Sequence, residues 1–329
     1  MREVCYAMSL RLPEGLLDVS TETSKVPIEG FEIHVEGPFD IEATLECGQT
    51  FGWSRLGLDI GSPWYKGVIG SFGVVVGFDS TSSTLSVVFD PKDLEHYSHT
   101  EEPNCGLPQI VSDYFSLDDD LELICESLAR DPSMQTVLSY APGLRILRQD
   151  PWECLVSYIT SAMNNIPAIC KITGYFRKTL GTPVGFGQYT FPSPERFKDA
   201  GYLNVKASRC GFRSEYILDA AEKVVTGEVD LNLINTMSSE DARKELQKIK
   251  GVGPKVADCV LLFAYHRLDV FPVDRWVARA MSQLYFAGTP VTEKKAREEG
   301  IRRFSPFSGY AQEYLFHYVR NHPRVLGER

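Results

Sequence analysis

No two of the eight cysteines form a Cys-x-x-Cys pair. Cys5, Cys47, Cys105, Cys125, Cys154, Cys170, Cys210 and Cys259 are scattered, so they read as reduced intracellular thiols, most of them core fillers. Histidine is scarce too. Of six, only His96 and His99 lie close in the chain, with no cysteine or carboxylate at ligand spacing, so no structural metal is expected. The longest apolar run, Val256 to Tyr265, is interrupted by Asp258 and is too short and too polar to span a bilayer. The opening stretch MREVCYAMSLRLPEG has no apolar core followed by a small-residue cleavage site, so secretion is not expected. There is no internal repeat and no low-complexity tract. Basic charge is in short supply: 34 Lys+Arg face 44 Asp+Glu, and a net charge of −10 argues at face value against a polyanionic partner.

What is present is an ordinary globular composition, 43% hydrophobic and 24% charged over 329 residues, enough for two or three domains. The charge is unevenly spread. From Lys248 to the end, 14 Lys+Arg meet 8 Asp+Glu, whereas everything before is acidic. A basic carboxy-terminal third suits a localised nucleic-acid face, and it equally suits a solvated helical surface.

The hydrophobic period changes once along the chain. Phe31–Val35, Phe39–Leu45, Val68–Ile69, Phe72–Phe78 and Thr84–Phe89 are short, β-branched or alternating runs, predicting a meandering antiparallel sheet. Cys47-Gly-Gln-Thr-Phe-Gly-Trp53 lies inside it, its glycine either a plain turn or a point of close backbone approach. Residues 91 to 106 read as a linker. Helical spacing follows: Ile110 to Phe115, Leu121 to Leu128 after Asp118-Asp-Asp120, and Cys154 to Ala162 after Asp150-Pro151. A long loop spans 181 to 194. Helices resume at Tyr216–Val225, Ala242–Ile249, Lys255–Tyr265, Arg275–Phe286, Glu293–Phe304 and Tyr310–Val319. The expected class is α+β: an amino-terminal antiparallel sheet domain with its linker (1–106), then a two-part helical domain (107–329). Residues 1 to 30 carry no interpretable pattern and read as an extension that packs on the sheet.

One stretch carries chemistry. Gly251-Val-Gly253 is a tight hairpin between two helical segments, so a helix-hairpin-helix spans about 243–266. Consecutive backbone N–H groups and a helix amino terminus suit a phosphate. A Gly-x-Gly alone is weak, but Lys248, Lys250 and Lys255 flank this one. Lys255 lies in the first helical turn, where the dipole is expected to lower its pKa and favour a nucleophilic amine. Cys259 shares its face at i+4. Asp274, before Arg275-Trp-Val, has the position of an N-cap. Taken singly, these are a surface lysine and a capping aspartate; together with the hairpin they suggest an active site.

Gly251-Val-Gly-Pro-Lys255-Val-Ala-Asp-Cys259 followed by Pro272-Val-Asp274 resembles the helix-hairpin-helix, Gly/Pro-Asp superfamily of DNA glycosylases, closely its 8-oxoguanine branch. The likeness covers nearly the whole chain from about residue 36. Gly48-Gln-Thr-Phe-Gly-Trp53, Leu147-Arg-Gln-Asp-Pro-Trp-Glu-Cys154, Asn164-Asn165-Ile166, Gly211-Phe-Arg213 and Gln312-x-x-x-Phe316 resemble further motifs of that branch.

The resemblance implies a bifunctional glycosylase and AP lyase of base excision repair, which flips 8-oxoguanine out of duplex DNA. Lys255 and Asp274 would be catalytic. Gly48, Cys259, Gln312 and Phe316 would form the lesion pocket, the Gly48 carbonyl accepting from N7–H, a donor guanine lacks. Gly251, Gly253, Val256, Asn164, Asn165, Phe212, Arg213 and Trp276 would face DNA. The enzyme would act as a monomer and require no cofactor. A structural monovalent cation at the hairpin is compatible with the resemblance, and an iron–sulfur cluster is not, since no cysteine follows Cys259.

Three positions depart from the family pattern. Met163 replaces the first asparagine of the run, Ala168 one of two arginines that read the opposite cytosine, and Trp276 a histidine that contacts phosphate. Weak preference for cytosine opposite the lesion is therefore expected. The alternatives are a monofunctional alkylpurine glycosylase, which would not need Lys255, an endonuclease III-like enzyme, and a non-catalytic module that grips duplex DNA. An intracellular location, cytoplasm or nucleoid in a prokaryote and nucleus in a eukaryote, follows from the substrate.

Overall fold

The computed structural model describes residues 28–57, 62–97 and 106–326. The amino-terminal extension, part of the linker and His99 lie outside the described residues.

Five antiparallel strands build the first layer: β1 (Glu29–His34), β2 (Ser54–Leu56), β3 (Trp64–Ile69), β4 (Phe72–Asp79) and β5 (Thr84–Phe89), in the order β1-β5-β4-β3-β2. β4 is central and buried on both faces, which explains its run of three valines. Val74 and Val76 face one core; Val75 meets Trp64 and Val88 on the other.

The run Phe39–Leu45, expected as a strand, is a helix, α1 (Ile41–Glu46). Asp40 caps it, accepting from the Ala43 N–H at 2.9 Å. Its near-alternation arises because α1 is buried from two sides: Ile41 and Leu45 enter the sheet core, Ala43 and Cys47 the helical core. The segment 91–106, expected as a linker, contains a further helix, α2 (Lys92–Tyr97). Within it the Asp93 carboxylate accepts from the Gly73 and Gly185 N–H groups, at 2.9 and 3.0 Å, stapling the sheet to a distant loop. That loop, 181–194, is not wholly irregular, since it forms a small hairpin of β6 (Pro183–Val184) and β7 (Gln188–Tyr189).

The remaining helices are α3 (Leu107–Tyr114), α4 (Leu121–Leu128), α5 (Pro132–Tyr140), α6 (Pro151–Ser161), α7 (Ile166–Leu180), α8 (Pro194–Ala207), α9 (Arg213–Val225), α10 (Ser239–Leu246), α11 (Pro254–Phe263), α12 (Arg275–Tyr285), α13 (Glu293–Phe304) and α14 (Ser308–Asn321). Periodicity missed α5, α7 and α8. Each opens with a capping side chain, Asp131, Asn165 or Ser193, and a proline in its first turn, the same signal that Asp150-Pro151 carries for α6.

One buried charge holds the hairpin helices. Asp258, which interrupts the apolar run of α11, is fully buried and accepts from Arg243 Nε of α10 at 2.6 Å and Arg297 Nε of α13 at 2.7 Å. The two arginines offset its desolvation and fix α10 and α13 on α11.

Candidate active site and duplex-facing surface

The turn Cys47–Gln49 leaves α1 and is fastened from beneath. Gln49 Nε2 donates to the Thr44 and Arg145 carbonyls at 2.9 and 2.8 Å, while Gln49 Oε1 accepts from the Leu147 N–H at 2.8 Å. Gln149 Nε2 and the Tyr158 hydroxyl both donate to the Gln49 carbonyl. Gly48 is thereby held at φ +108°, a conformation that favours glycine, and an added Cβ would lie 2.7 Å from Ile166 Cδ1 and 2.9 Å from Arg320 Nη1. The Phe316 ring is beside it, 3.5 Å from that Cβ position, so Gly48 and Phe316 are brought together. Arg320, one turn beyond Phe316, donates to the Cys47 and Glu46 carbonyls at 2.7 and 2.8 Å. It was not singled out from sequence, although the 312-316-320 spacing on one helix face would have found it.

Lys255 lies in the first turn of α11. Its Nζ donates to Ser161 Oγ at 3.2 Å and sits 4.9 Å from the centroid of the Tyr158 ring. Asp274 caps α12, its Oδ1 accepting from the Val277 N–H at 2.9 Å. Cys259 is buried between them, and burial pushes its thiol up to about 12 while Lys255 pulls it down and Asp258, Asp274 and Glu313 push it further up. The thiol is therefore neutral and offers a packing surface. Gln312 is 5% exposed and its Oε1 has no partner among the described residues. Lys255 and Asp274 both act electrostatically on Cys259, and Tyr158 joins Lys255 to the Gly48 turn, its ring under the Nζ and its hydroxyl on the Gln49 carbonyl.

A second surface runs from the hairpin. Gly251, at φ +82°, packs on the Tyr216 ring so tightly that a Cβ would lie 2.2 Å from it, whereas nothing lies within 4 Å of a Cβ added at Gly253. α11 has no capping side chain, so the first-turn N–H groups of Lys255 and Val256 face outward for an acceptor. The Val256 side chain is buried, leaving only its backbone for such a contact. Lys248 pairs with Glu245 at 2.8 Å and Lys250 with Glu215 at 2.9 Å. Such exposed pairs are weak and readily exchanged for phosphate.

Tyr216 in turn meets Phe212 edge-on, centroids 5.7 Å apart, and the Arg213 guanidinium lies 4.6 Å over the Phe212 ring. Phe212 is half exposed and Met163, at φ +52°, is 90% exposed. Arg213 itself is buried, its guanidinium donating to the Ala162, Met163 and Cys210 carbonyls. It braces the turn that presents Met163. Asn165 caps α7, accepting from the Ala168 N–H at 3.0 Å, and Asn164 Nδ2 donates to the Thr160 carbonyl at 3.2 Å. Trp276 packs with Ala280 and Val319. Among the described residues no group of three or more His, Cys, Asp or Glu could hold a metal, and no helix is long and apolar enough to cross a membrane.

Sheet layer, helical layer and hairpin together match two family models laid end to end: the 8-oxoguanine DNA glycosylase N-terminal domain over residues 33–155, and the HhH-GPD superfamily of base excision DNA repair proteins over residues 156–306. The class is therefore that of a helix-hairpin-helix base excision repair protein. A probable N-glycosylase/DNA lyase of Methanothermobacter thermautotrophicus is 27% identical, the match covering 86% of this chain and 94% of the relative. Two solved structures agree closely. MBOgg1 in complex with a low-affinity DNA ligand has a TM-score of 0.79 at 35% identity, covering 91% of this chain and all of that one. The Clostridium acetobutylicum 8-oxoguanine glycosylase/lyase, bound to duplex DNA with cytosine opposite 8-oxoguanine, has a TM-score of 0.78 at 32% identity, covering 91% and 99%. The chain belongs to the 8-oxoguanine DNA glycosylase family.

Proposed function

We propose that the protein is a bifunctional enzyme that excises 8-oxoguanine from duplex DNA and cleaves the resulting abasic strand. The observation that carries this reading is that Lys255 and Asp274 both act on the buried Cys259 while Tyr158 ties Lys255 to the fastened turn where Gly48 meets Phe316. A monofunctional glycosylase would need only the aspartate and a water, and a binding module would need neither.

The flipped base enters between Cys259 and Phe316. The Gly48 carbonyl accepts from N7–H of 8-oxoguanine. Guanine has no hydrogen there and would leave that acceptor facing a lone pair, which is how a single atom discriminates the two bases. Gln312, with its unpartnered Oε1, serves the Watson–Crick edge. As the glycosidic bond breaks, its electrons leave with the base and positive charge develops on the sugar, where the Asp274 carboxylate stabilises it. The Lys255 lone pair then forms the bond to C1′. The nitrogen gives up a proton, the C1′–O4′ ring bond opens with its electrons going to O4′, which takes a proton, and the Schiff base results; removal of the C2′ proton then expels the 3′ phosphate. The Gly251–Val256 backbone holds a phosphate, and Met163 and Phe212 enter the space the base has left. Trp276, Asn164 and Asn165 support this surface by packing and capping.

A monovalent cation at the hairpin would be held by its backbone carbonyls; that of Lys248 is taken by the Lys223 ammonium at 2.6 Å. An enzyme acting on genomic duplex works inside the cell.

Borohydride trapping on 8-oxoguanine duplex tests the assignment. Wild type should form a covalent adduct and Lys255→Gln none, while Asp274→Asn should slow base release by about 10²–10⁴-fold. Base release without any adduct from wild type would remove the lyase step.

A further inference from the structure

α9 opens at Arg213, beside Phe212, and one of its faces holds the hairpin. Glu215, Asp219 and Lys223 stand one turn apart on it. The Glu215 carboxylate pairs with the Lys250 ammonium at 2.9 Å, and the Tyr216 ring seats Gly251. The Asp219 Oδ2 accepts from the Lys250 N–H at 2.7 Å, and the Lys223 ammonium donates to the Lys248 carbonyl at 2.6 Å. Asp219 and Lys223 thereby fasten consecutive peptide units of the turn. Neither contact enters the reaction above.

A carboxylate at this place is unexpected. It lies on the backbone of a turn offered to phosphate, and an anion beside an anion site weakens that site. Lys223 lies 3.2 Å from the same Asp219 oxygen, with Glu228 farther away at 3.8 Å. The Asp219 and Lys223 side chains are both partly buried, so their pairing is screened less than that of the exposed Lys250 and Glu215. Asp219 also settles which amides are free. With the Lys250 N–H bonded to it and the Val252 N–H bonded to the Ile249 carbonyl at 3.1 Å, the uncapped first turn of α11 is left to supply donors.

We propose that Lys223 is a positioning residue for the phosphate site of the hairpin: its ammonium fixes the Lys248 carbonyl and neutralises Asp219, which can then shape the turn through the Lys250 N–H without repelling the phosphate. Lys223 acts through the hairpin and not on the DNA itself.

The inference rests on the hairpin receiving a phosphate, as proposed above, and the experiment separates the two claims. Binding of the full chain to a duplex carrying a reduced abasic site, which cannot react, is followed by fluorescence anisotropy. Lys223→Met should bind about tenfold more weakly, the low end for a lost hydrogen bond to a charged group. Lys223→Arg, which keeps the charge and the donors, should bind nearly as wild type does. Asp219→Asn removes the negative charge and keeps an acceptor for the Lys250 N–H. Added to Lys223→Met, it should restore most of the lost affinity, which neither a lysine that contacts phosphate directly nor one that only holds the fold would allow. Should Lys223→Met not fold, Asp219→Asn alone decides: it should bind at least as tightly as wild type, and weaker binding overturns the proposal. Gly253→Ala, whose methyl would meet nothing within 4 Å in the protein, tests the phosphate reading itself and should also weaken binding. Unchanged affinity in Lys223→Met, or a double variant no better than Lys223→Met, overturns the proposal while a weakened Gly253→Ala keeps the hairpin in its role. Full wild-type affinity in Gly253→Ala overturns the phosphate reading and the proposal with it.

Discussion

The lesion pocket and the duplex-facing ridge are built on opposite principles. The pocket is assembled from segments more than two hundred residues apart, the Gly48 turn and α14, and the turn is fastened by five hydrogen bonds at Gln49. The ridge joins Met163, Phe212, Tyr216 and the hairpin, from segments fewer than a hundred residues apart, and exposes Met163 and Phe212. The difference teaches where selectivity resides. A fastened turn cannot move to suit a wrong base, so under the proposed function selectivity would rest on single atoms there. An exposed methionine presents no hydrogen-bonding pattern, so the ridge fills space without reading what it displaces.

The sharpest way to break this contrast is at Gly48. Gly48→Ala adds a methyl at φ +108° against Ile166 and Arg320 and moves the carbonyl. Excision of 8-oxoguanine should fall by about 10²-fold or more, comparable to losing a preorganised hydrogen bond, while duplex binding by fluorescence anisotropy is kept. Equal loss of both would show the pocket to be no more rigid than the ridge. Next comes Phe212→Ala, which removes a half-exposed ring and should slow single-turnover excision about tenfold, the scale of one stacking contact. The least change is expected opposite the lesion. With Met163 exposed and Arg213 folded back onto carbonyls, rates with cytosine and adenine opposite should differ by less than about tenfold, or roughly 1.4 kcal/mol. A larger gap would mean that Arg213 leaves its carbonyls to read a base, and Arg213→Ala would then erase it.

Much of this was legible in the residues because the signals are local. The hairpin glycines, the proline opening α11 and the capping aspartate before α12 act within a turn of backbone, so their order in the chain suffices to find them. The same cap-and-proline logic was available for α5, α7 and α8 and would have found them. α1 was misread for a different reason. Its pattern reflects burial from two sides, and which faces a segment buries is set by its neighbours rather than by its own period.

What the sequence alone determined, then, is the Gly251-Val-Gly253 hairpin opening α11, the capping position of Asp274 and the order of sheet and helices. Tertiary structure decided that Arg213 braces a turn and that Ile166 and Arg320 crowd any side chain added at Gly48. A backbone cap or turn is a free-energy preference of a few neighbouring residues, whereas burial, desolvation and the field at a lysine depend on every element packed around it.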